Sequence, residues 1–396
     1  SPDGKILAAS GADGKVRFIE VENGRVKGDF VPVMVEGAKV LAQRGKGEQK
    51  PLNRKRGKRA ELGERRISAD EIASLSLEPG EIVFNEANQY VQLLVTAILK
   101  QGGTVDVTRQ VSAVVGGDLL EVSARGRVQP VKDGEGTLSV TLGNQKASVK
   151  VTVNNVKQPR LPDYVRDVKP VLSRMGCDAG TCHGAKDGKN GFKLSLRGYD
   201  PLVDVRSFSD DISARRVNYA SPDDSLMLLK ATGAVPHEGQ QVTEPNSEYY
   251  RIIRDWISNG TVLTDPKPVV KSIEVFPNNP VIQEVGGQQQ IRVVATYKDG
   301  SKRDVTRESY VEGANQDVVV HDDYGLMTTL RRGESPVLAR YEGAYAATTL
   351  TVMGDRSGFE WAEQPAWGEI DKLVAAKWQR MKILPSDLCS DEEFIR

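Results

Sequence analysis

Cys177, Cys182 and His183 stand within seven residues as C-x4-C-H, in a chain of 396 residues that holds three cysteines and three histidines in all. Three chemistries fit this grouping. Two thiols can attach a haem through its vinyl groups while the adjacent histidine reaches the iron. The usual spacer is two residues, so Asp178-Ala179-Gly180-Thr181 must bulge, and Gly180 eases such a bulge. Zinc is the second, but it needs four ligands and usually a second paired motif. None is present, and Cys389 lies far along the chain. A small Cys177–Cys182 disulfide with His183 incidental is the third. On the motif alone all three stay open.

The elements around the motif narrow the choice. The pattern LPDYVRDVKPVLSRM places Val165, Val168, Val171, Leu172 and Met175 on one helical face that leads into Cys177, with Pro170 set to kink or divide it. SPDDSLMLLKATG reads as a helix with Ser221 as N-cap and proline at its first position. NSEYYRIIRDWISNG starts at Asn246 or Ser247, turns Tyr249, Ile252, Ile253 and Trp256 inward, and stops at Gly260. Between the last two helices, the loop ATGAVPHEGQQV presents His237. A haem clasped by helices needs a second axial ligand from such a loop, so His183 and His237 are the expected iron ligands. Met175 and Met227 sit at helical core positions, and packing is the better reading of both. Phe192, Leu194 and Leu196 alternate with polar residues and form an edge that either walls the pocket or belongs to a core strand. Arg215 and Arg216 are candidates for the haem propionates, because a guanidinium meets a carboxylate two-pronged.

Composition excludes several classes. Lys plus Arg equals Asp plus Glu at 54 each, so no net field recruits nucleic acid. No apolar run spans a membrane, and three cysteines make no disulfide framework. The length calls for two to four domains. Repetition supplies two of them. LSLEP at 75–79 answers IEVFP at 273–277, and DVTR at Asp106–Arg109 recurs 198 residues on as Asp304–Arg307. Each copy is period-two alternation broken by glycine and polar turns, the mark of an all-β sandwich. In sequence the pair resembles bacterial Ig-like domains of group 2. Residues 73–154 and 271–353 are therefore expected to share one strand order.

The ends differ. Residues 1–27 resemble a WD-repeat blade fragment with Ile19-Glu20 for the usual Trp-Asp, and 28–70 read as a basic linker with ten basic side chains and three glutamates over 44–66. The opening on Ser1 and the stop at Arg396 read as the cut ends of a fragment. The remaining boundaries are 71–155 and 267–355 for the sandwiches, 156–266 for a small helical domain, and 356–396 for the start of a C-terminal helical unit containing IDKLVAAKWQRM.

DVKPVLSRMGCDAGTCHGAKDGKNGFKLSLRGYDP, RRVNYASPDDSLMLLKATGAVPHEGQQ and SEYYRIIRDWISNG together resemble the cytochrome c domain of large planctomycete proteins, in its C-x4-C-H variant. In that family Ig-like domains flank the haem domain and further domains follow it, and residues 357–396 look like the start of the first of these. The wider family places a methionine in the distal loop, where this chain has His237 after Pro236. The fold class expected is thus multidomain: two all-β Ig-like sandwiches flanking a small all-α cytochrome c-like domain, after a WD-repeat-like β segment. The resemblance implies one covalent haem c, held by Cys177 and Cys182 with His183 and His237 on the iron, in an extracytoplasmic protein. With both axial positions filled it implies electron transfer to a redox partner protein or adjoining domain, with no catalysis in this chain. His321, just before a turn, is expected to bind neither metal nor haem. The competing reading is a structural or adhesive surface protein with a Cys177–Cys182 disulfide and no haem, its sandwiches meeting a carbohydrate or cell-surface partner.

Overall fold

The computed structural model describes residues 6–10, 16–23, 25–30, 65–115, 118–157, 161–212, 215–265, 270–354, 356, 358–386 and 389–392. Most of the basic stretch, residues 44–64, lies outside the described residues, as do 1–5 and 11–15 of the blade-like segment. The chain divides into two compact units, residues 1–61 and 62–396. The first contains an antiparallel sheet of β1 (Ile6–Ser10), β2 (Val16–Glu20) and β3 (Val26–Phe30) in sequence order.

The second unit is dominated by β-sandwiches. The first sandwich runs β4 (Ile72–Glu78), β5 (Glu81–Phe84), β6 (Val91–Gln92), β7 (Leu94–Leu99), β8 (Thr104–Asp106), β9 (Ser112–Val115), β10 (Leu120–Val122), β11 (Arg127–Pro130), β12 (Gly134–Leu142) and β13 (Gln145–Val153). The second runs β14 (Val270–Phe276), β15 (Val281–Ile282), β16 (Gln288–Gln290), β17 (Arg292–Tyr297), β18 (Lys302–Asp304), β19 (Tyr310–Gly313), β20 (Val319–His321), β21 (Leu326–Thr329), β22 (Gly333–Tyr341) and β23 (Ala344–Val352). Sheet orders β4-β7-β8, β5-β13-β12-β9 and β10-β11-β6 recur as β14-β17-β18, β15-β23-β22-β19 and β16-β21-β20. One strand order therefore serves both copies. Period-two alternation explains the packing: Leu138, Val140, Val149, Val151 and Val153 are buried, while the intervening Ser139, Lys150 and Thr152 face outward or stay half-buried.

The repeated DVTR motif has a structural use. In each copy the aspartate turns Oδ1 back to the amide of the threonine two residues on, Thr108 at 2.8 Å and Thr306 at 3.1 Å. The other oxygen reaches the opposite sandwich. Asp304 Oδ2 accepts from the Gln92 amide at 2.9 Å, and Asp106 Oδ2 accepts from the Gln290 amide at 2.5 Å. Gln92 and Gln290 are themselves equivalent positions of the repeat, so the two copies meet reciprocally, as the halves of an isologous dimer do.

Between the sandwiches lie four helices, α1 (Lys169–Arg174), α2 (Pro201–Ser209), α3 (Leu226–Ala231) and α4 (Glu248–Ser258). They enclose a core of Tyr164, Val168, Leu172, Phe208, Leu228, Ile253 and Trp256. A wide π-type turn over Tyr164–Val168 precedes α1, and Pro170 sits at the junction, where its missing amide costs no hydrogen bond. Three details differ from the sequence reading. Ser221 stands at the N-cap position of a 3-10 turn over Pro222–Asp224, with Pro222 first in it and no side-chain capping bond, and α3 starts only after Ser225. Helix α4 buries Tyr250, Ile253, Trp256 and Ile257, while Tyr249 and Ile252 lie at the edge of its buried face. Helix α2 was not foreseen, although Asp200-Pro201 carries an N-cap and N1 signature and Asp200 accepts from the Val203 amide.

This helical segment docks on the second sandwich through buried ion pairs. Arg303 binds Asp167 at 2.9 Å, and Lys169 binds Glu342 at 2.6 Å. The position equivalent to Arg303 in the first sandwich is Val105, which lacks the charge. C-terminal to the second sandwich, α5 (Glu369–Arg380) is tied to Glu334 by Lys377 and Arg380. Among the described residues no helix is long and apolar enough to cross a membrane.

Candidate functional site

The C-x4-C-H loop is positioned by the end of α1. Gly176 takes φ +79°, its amide bonds the Ser173 carbonyl, and the next amide, that of Cys177, bonds the Leu172 carbonyl at 2.9 Å. This is a Schellman stop, and it fixes where Cys177 leaves the helix. The loop then closes on itself: the His183 amide donates to the Cys177 carbonyl at 3.0 Å and the Cys182 amide to Ala179 at 2.9 Å. The glycine this closure requires is Gly184, where a Cβ would sit 2.0 Å from the Asp178 carbonyl oxygen. Gly180, expected to ease the bulge, has ordinary space around its Cα and needs no positive φ.

Cys177 and Cys182 are both half-buried, free thiols. Burial, then the Asp178 carboxylate, then Cys182 push the Cys177 thiol up to about 12. Metals bind thiolates, and a thiol so placed stays protonated at neutral pH. Among the described residues no three His, Cys, Asp or Glu side chains gather to hold a metal ion. A zinc site built from protein ligands alone therefore lacks its ligand set among those residues.

His183 and His237 come together across the site. Their ring centroids lie 6.4 Å apart, with planes within 4°. Each ring is held the same way. His183 Nδ1 lies 3.0 Å from the Phe192 carbonyl oxygen, and His237 Nδ1 lies 2.9 Å from that of Gln240. A carbonyl only accepts, so each Nδ1 carries a proton, and in the neutral form of either ring Nε2 is the atom with the lone pair. Burial, the largest influence on His183, lowers its pKa, which keeps the ring neutral and able to ligate. Two imidazoles bonded to one metal from opposite sides at about 2.0–2.1 Å each have ring centres roughly 6.3 Å apart. The observed centroid spacing matches that distance, and the two ring planes are parallel.

Local structure explains how His237 arrives. Gly233 (φ +73°) ends α3, and the Gln240 amide returns to the His237 carbonyl at 2.9 Å. Gly239 lies against the imidazole, where a Cβ would come within 2.9 Å of Cε1. Lys230 donates to the Pro236 carbonyl and holds the turn from the helix side.

The remaining candidates fall in different places. Phe192 packs on His183, ring centres 4.6 Å apart, and on Phe208 at 5.0 Å. It bridges to Lys189 alone and so belongs to no extended strand; Leu194 is core and Leu196 is exposed. Arg216 is buried, donates to the carbonyls of Ser207, Asp211 and Gly191, and lies over the Phe192 ring. Those bonds commit it to holding the loop together, in place of the carboxylate pairing expected of it. Arg215 is exposed. Met227 and Met175 pack at the edge of the helical core. His321 lies in the second sandwich, its Nδ1 3.5 Å from the Gly313 amide. Two features were missed in sequence: the Nδ1 acceptors, because any residue supplies a backbone carbonyl, and the buried carboxylates Asp178 and Asp204 beside the loop.

No protein-family model and no curated protein matches the chain. Among solved structures it is similar to surface layer protein SbsC. For domains 5–6 of that protein the identity is 10%, covering 72% of this chain and 99% of that one at a TM-score of 0.29. For domains 1–6 the identity is 11% and the TM-score 0.20, and the match spans 73% of this chain but only 29% of that one. It is also similar to neural ectodermal development factor IMP-L2, at 8% identity, 72% and 96% coverage and a TM-score of 0.25.

Proposed function

We propose that this chain is a monohaem c-type electron-transfer module, its haem domain framed by two Ig-like sandwiches, in an extracytoplasmic protein. The observation that carries the reading is the His183–His237 pair: each Nδ1 tied to a backbone carbonyl, and ring centroids 6.4 Å apart. Cys177 and Cys182 would anchor the haem and the two Nε2 atoms would hold its iron. Bound there, a haem supplies one-electron chemistry. The protein's part is to keep both imidazoles oriented: Phe192 and Gln240 carbonyls fix their tautomer and raise their basicity, and Phe192 with Phe208 keeps water from the His183 side. Two protein ligands leave no open position, so the site suits relay of electrons to a partner protein or an adjoining domain. Replacing His237 with Ala tests this. A c-type haem protein should then stay covalently loaded yet bind cyanide readily. An unchanged low-spin spectrum and cyanide affinity would remove His237 from the iron.

A second reading rests on the reciprocal docking of the sandwiches through Asp106 and Asp304. That rigid pair suits a structural or adhesive surface protein, with Cys177 and Cys182 oxidised to a disulfide and no haem. The sandwiches would then carry the binding role.

A further inference from the structure

The carbonyl that orients His183 sits on a support too small to stand alone. It belongs to Phe192, and Lys189 to Phe192 form a hairpin of a single bridge, closed by two amide bonds of 2.9 Å. Asn190 (φ +49°) and Gly191 (φ +73°) make its tip, the type I′ turn that Asn-Gly favours. Isolated two-stranded hairpins are marginal in water even at full length, so this one frays unless something outside grips it. The Phe192 carbonyl takes the Lys189 amide at 2.9 Å as well as His183 Nδ1 at 3.0 Å, so fraying would free the imidazole.

Arg216 supplies the grip. It is 6% exposed, and its Nη2 donates to the Gly191 carbonyl at the hairpin tip at 2.7 Å. Its Nη1 is fixed in turn on the C-terminal end of α2, donating to the carbonyls of Ser207 at 2.9 Å and Asp211 at 2.6 Å. A cation suits that end of a helix, where carbonyls lack amide partners. The guanidinium also lies over the Phe192 ring, 4.7 Å from Cζ to the centroid, and the same ring meets His183 at 4.6 Å. Backbone and ring of Phe192 therefore both lead from Arg216 to the imidazole. His237 is held differently, because its acceptor, Gln240, closes a turn within its own loop.

We propose that Arg216 is the positioning residue of the His183–His237 site, an inference that rests on the haem reading above. By clamping Gly191 and Phe192 to the end of α2 it fixes the plane of the His183 ring. It thereby sets the near-parallel arrangement of the two imidazoles, whose planes lie within 4°. It acts on the imidazole through Phe192. A lysine cannot take its place, because a point charge on a flexible stem does not serve three carbonyls in fixed directions as the planar fork does.

The first test uses the haem-free full chain and NMR of the imidazole nitrogens. In the wild type the His183 Nδ1 proton should exchange slowly with water. Arg216→Lys should speed that exchange about tenfold, the order expected when the net worth of one hydrogen bond is lost. The His237 Nδ1 proton should be unaffected. Asn190→Ala, an exposed change that strains the tip turn and leaves Arg216 in place, should act on His183 in the same direction. The second test is electron paramagnetic resonance of the haem-loaded ferric chain, whose low-spin signal depends on the angle between the two axial imidazole planes. Arg216→Lys should shift or broaden that signal while the haem stays covalently attached. An unchanged His183 exchange rate in either variant overturns the inference, as does an unchanged resonance in Arg216→Lys. Equal acceleration at both histidines overturns it too, since that reports general loosening. A chain that takes up no haem overturns the functional reading, and the exchange measurement then decides the role of Arg216 by itself.

Discussion

The Gln92 amide donates to Asp304 Oδ2 at 2.9 Å, and the pair at the equivalent positions, Gln290 and Asp106, makes the same bond in the opposite direction. Both carboxylates are buried, and Asp304 also takes Arg292 at 2.8 Å. Removing either leaves a buried amide unpaired. Asp304→Ala is expected to lower stability by about 1.5–3 kcal/mol, the range for hydrogen bonds to a charged group. Urea unfolding checks this, and a loss below the surface-substitution range of about 0.5 kcal/mol would deny the interface its role.

Lys169 and Glu342 carry the docking of the helical segment. Breaking the pair strands a buried charge, so Lys169→Met should destabilise by about 3–5 kcal/mol. Adding Glu342→Leu should recover most of that loss. The same unfolding experiment reads both, and a double variant as unstable as the single would show that packing, not charge, dominates here.

Stability should depend on pH in a definite direction. Burial raises the pKa of Asp178, Asp204, Glu308 and Glu342 in the folded chain. Between the ordinary carboxylate range and those raised values the folded state holds protons that the unfolded state has released. Stability is therefore fully present below the unfolded values and declines as pH rises through the folded ones. Asp204→Asn should flatten part of that decline in a series of thermal melts, and a steeper decline in the variant would contradict the assignment.

Much of this was legible before the structure. The sandwiches were, because Leu138, Val140, Val149 and Val151 alternate with polar neighbours and because DVTR repeats at a constant interval. The use of DVTR was not, since its partner amides lie in the other sandwich, far along the chain. The pairing of His183 with His237 followed from rarity and loop position. Helix α2 was overlooked because PLVDVRSFS shows little apolar periodicity, leaving Leu202 and Val203 exposed. Arg216 reads in sequence as a partner for haem propionates because nothing in its neighbours reveals three carbonyls converging on it.

The loop offers a steric test. At Gly184 a Cβ meets the Asp178 carbonyl at 2.0 Å, while at Gly180 it meets only Leu196 at 3.5 Å. Gly184→Ala should cost about 1–3 kcal/mol and impair loop closure, whereas Gly180→Ala should be nearly neutral. Equal effects would mean the loop closes differently.

The central claim is one covalent haem on Cys177 and Cys182 with His183 and His237 on its iron, and it is tested most directly by intact mass and visible spectrum together. The chain should be produced with cytochrome maturation machinery present. The mass should be higher by one haem, with a low-spin spectrum that His321→Ala leaves unchanged. A chain two hydrogens lighter than the free-thiol form, with no visible absorbance, would contradict it and establish the disulfide instead.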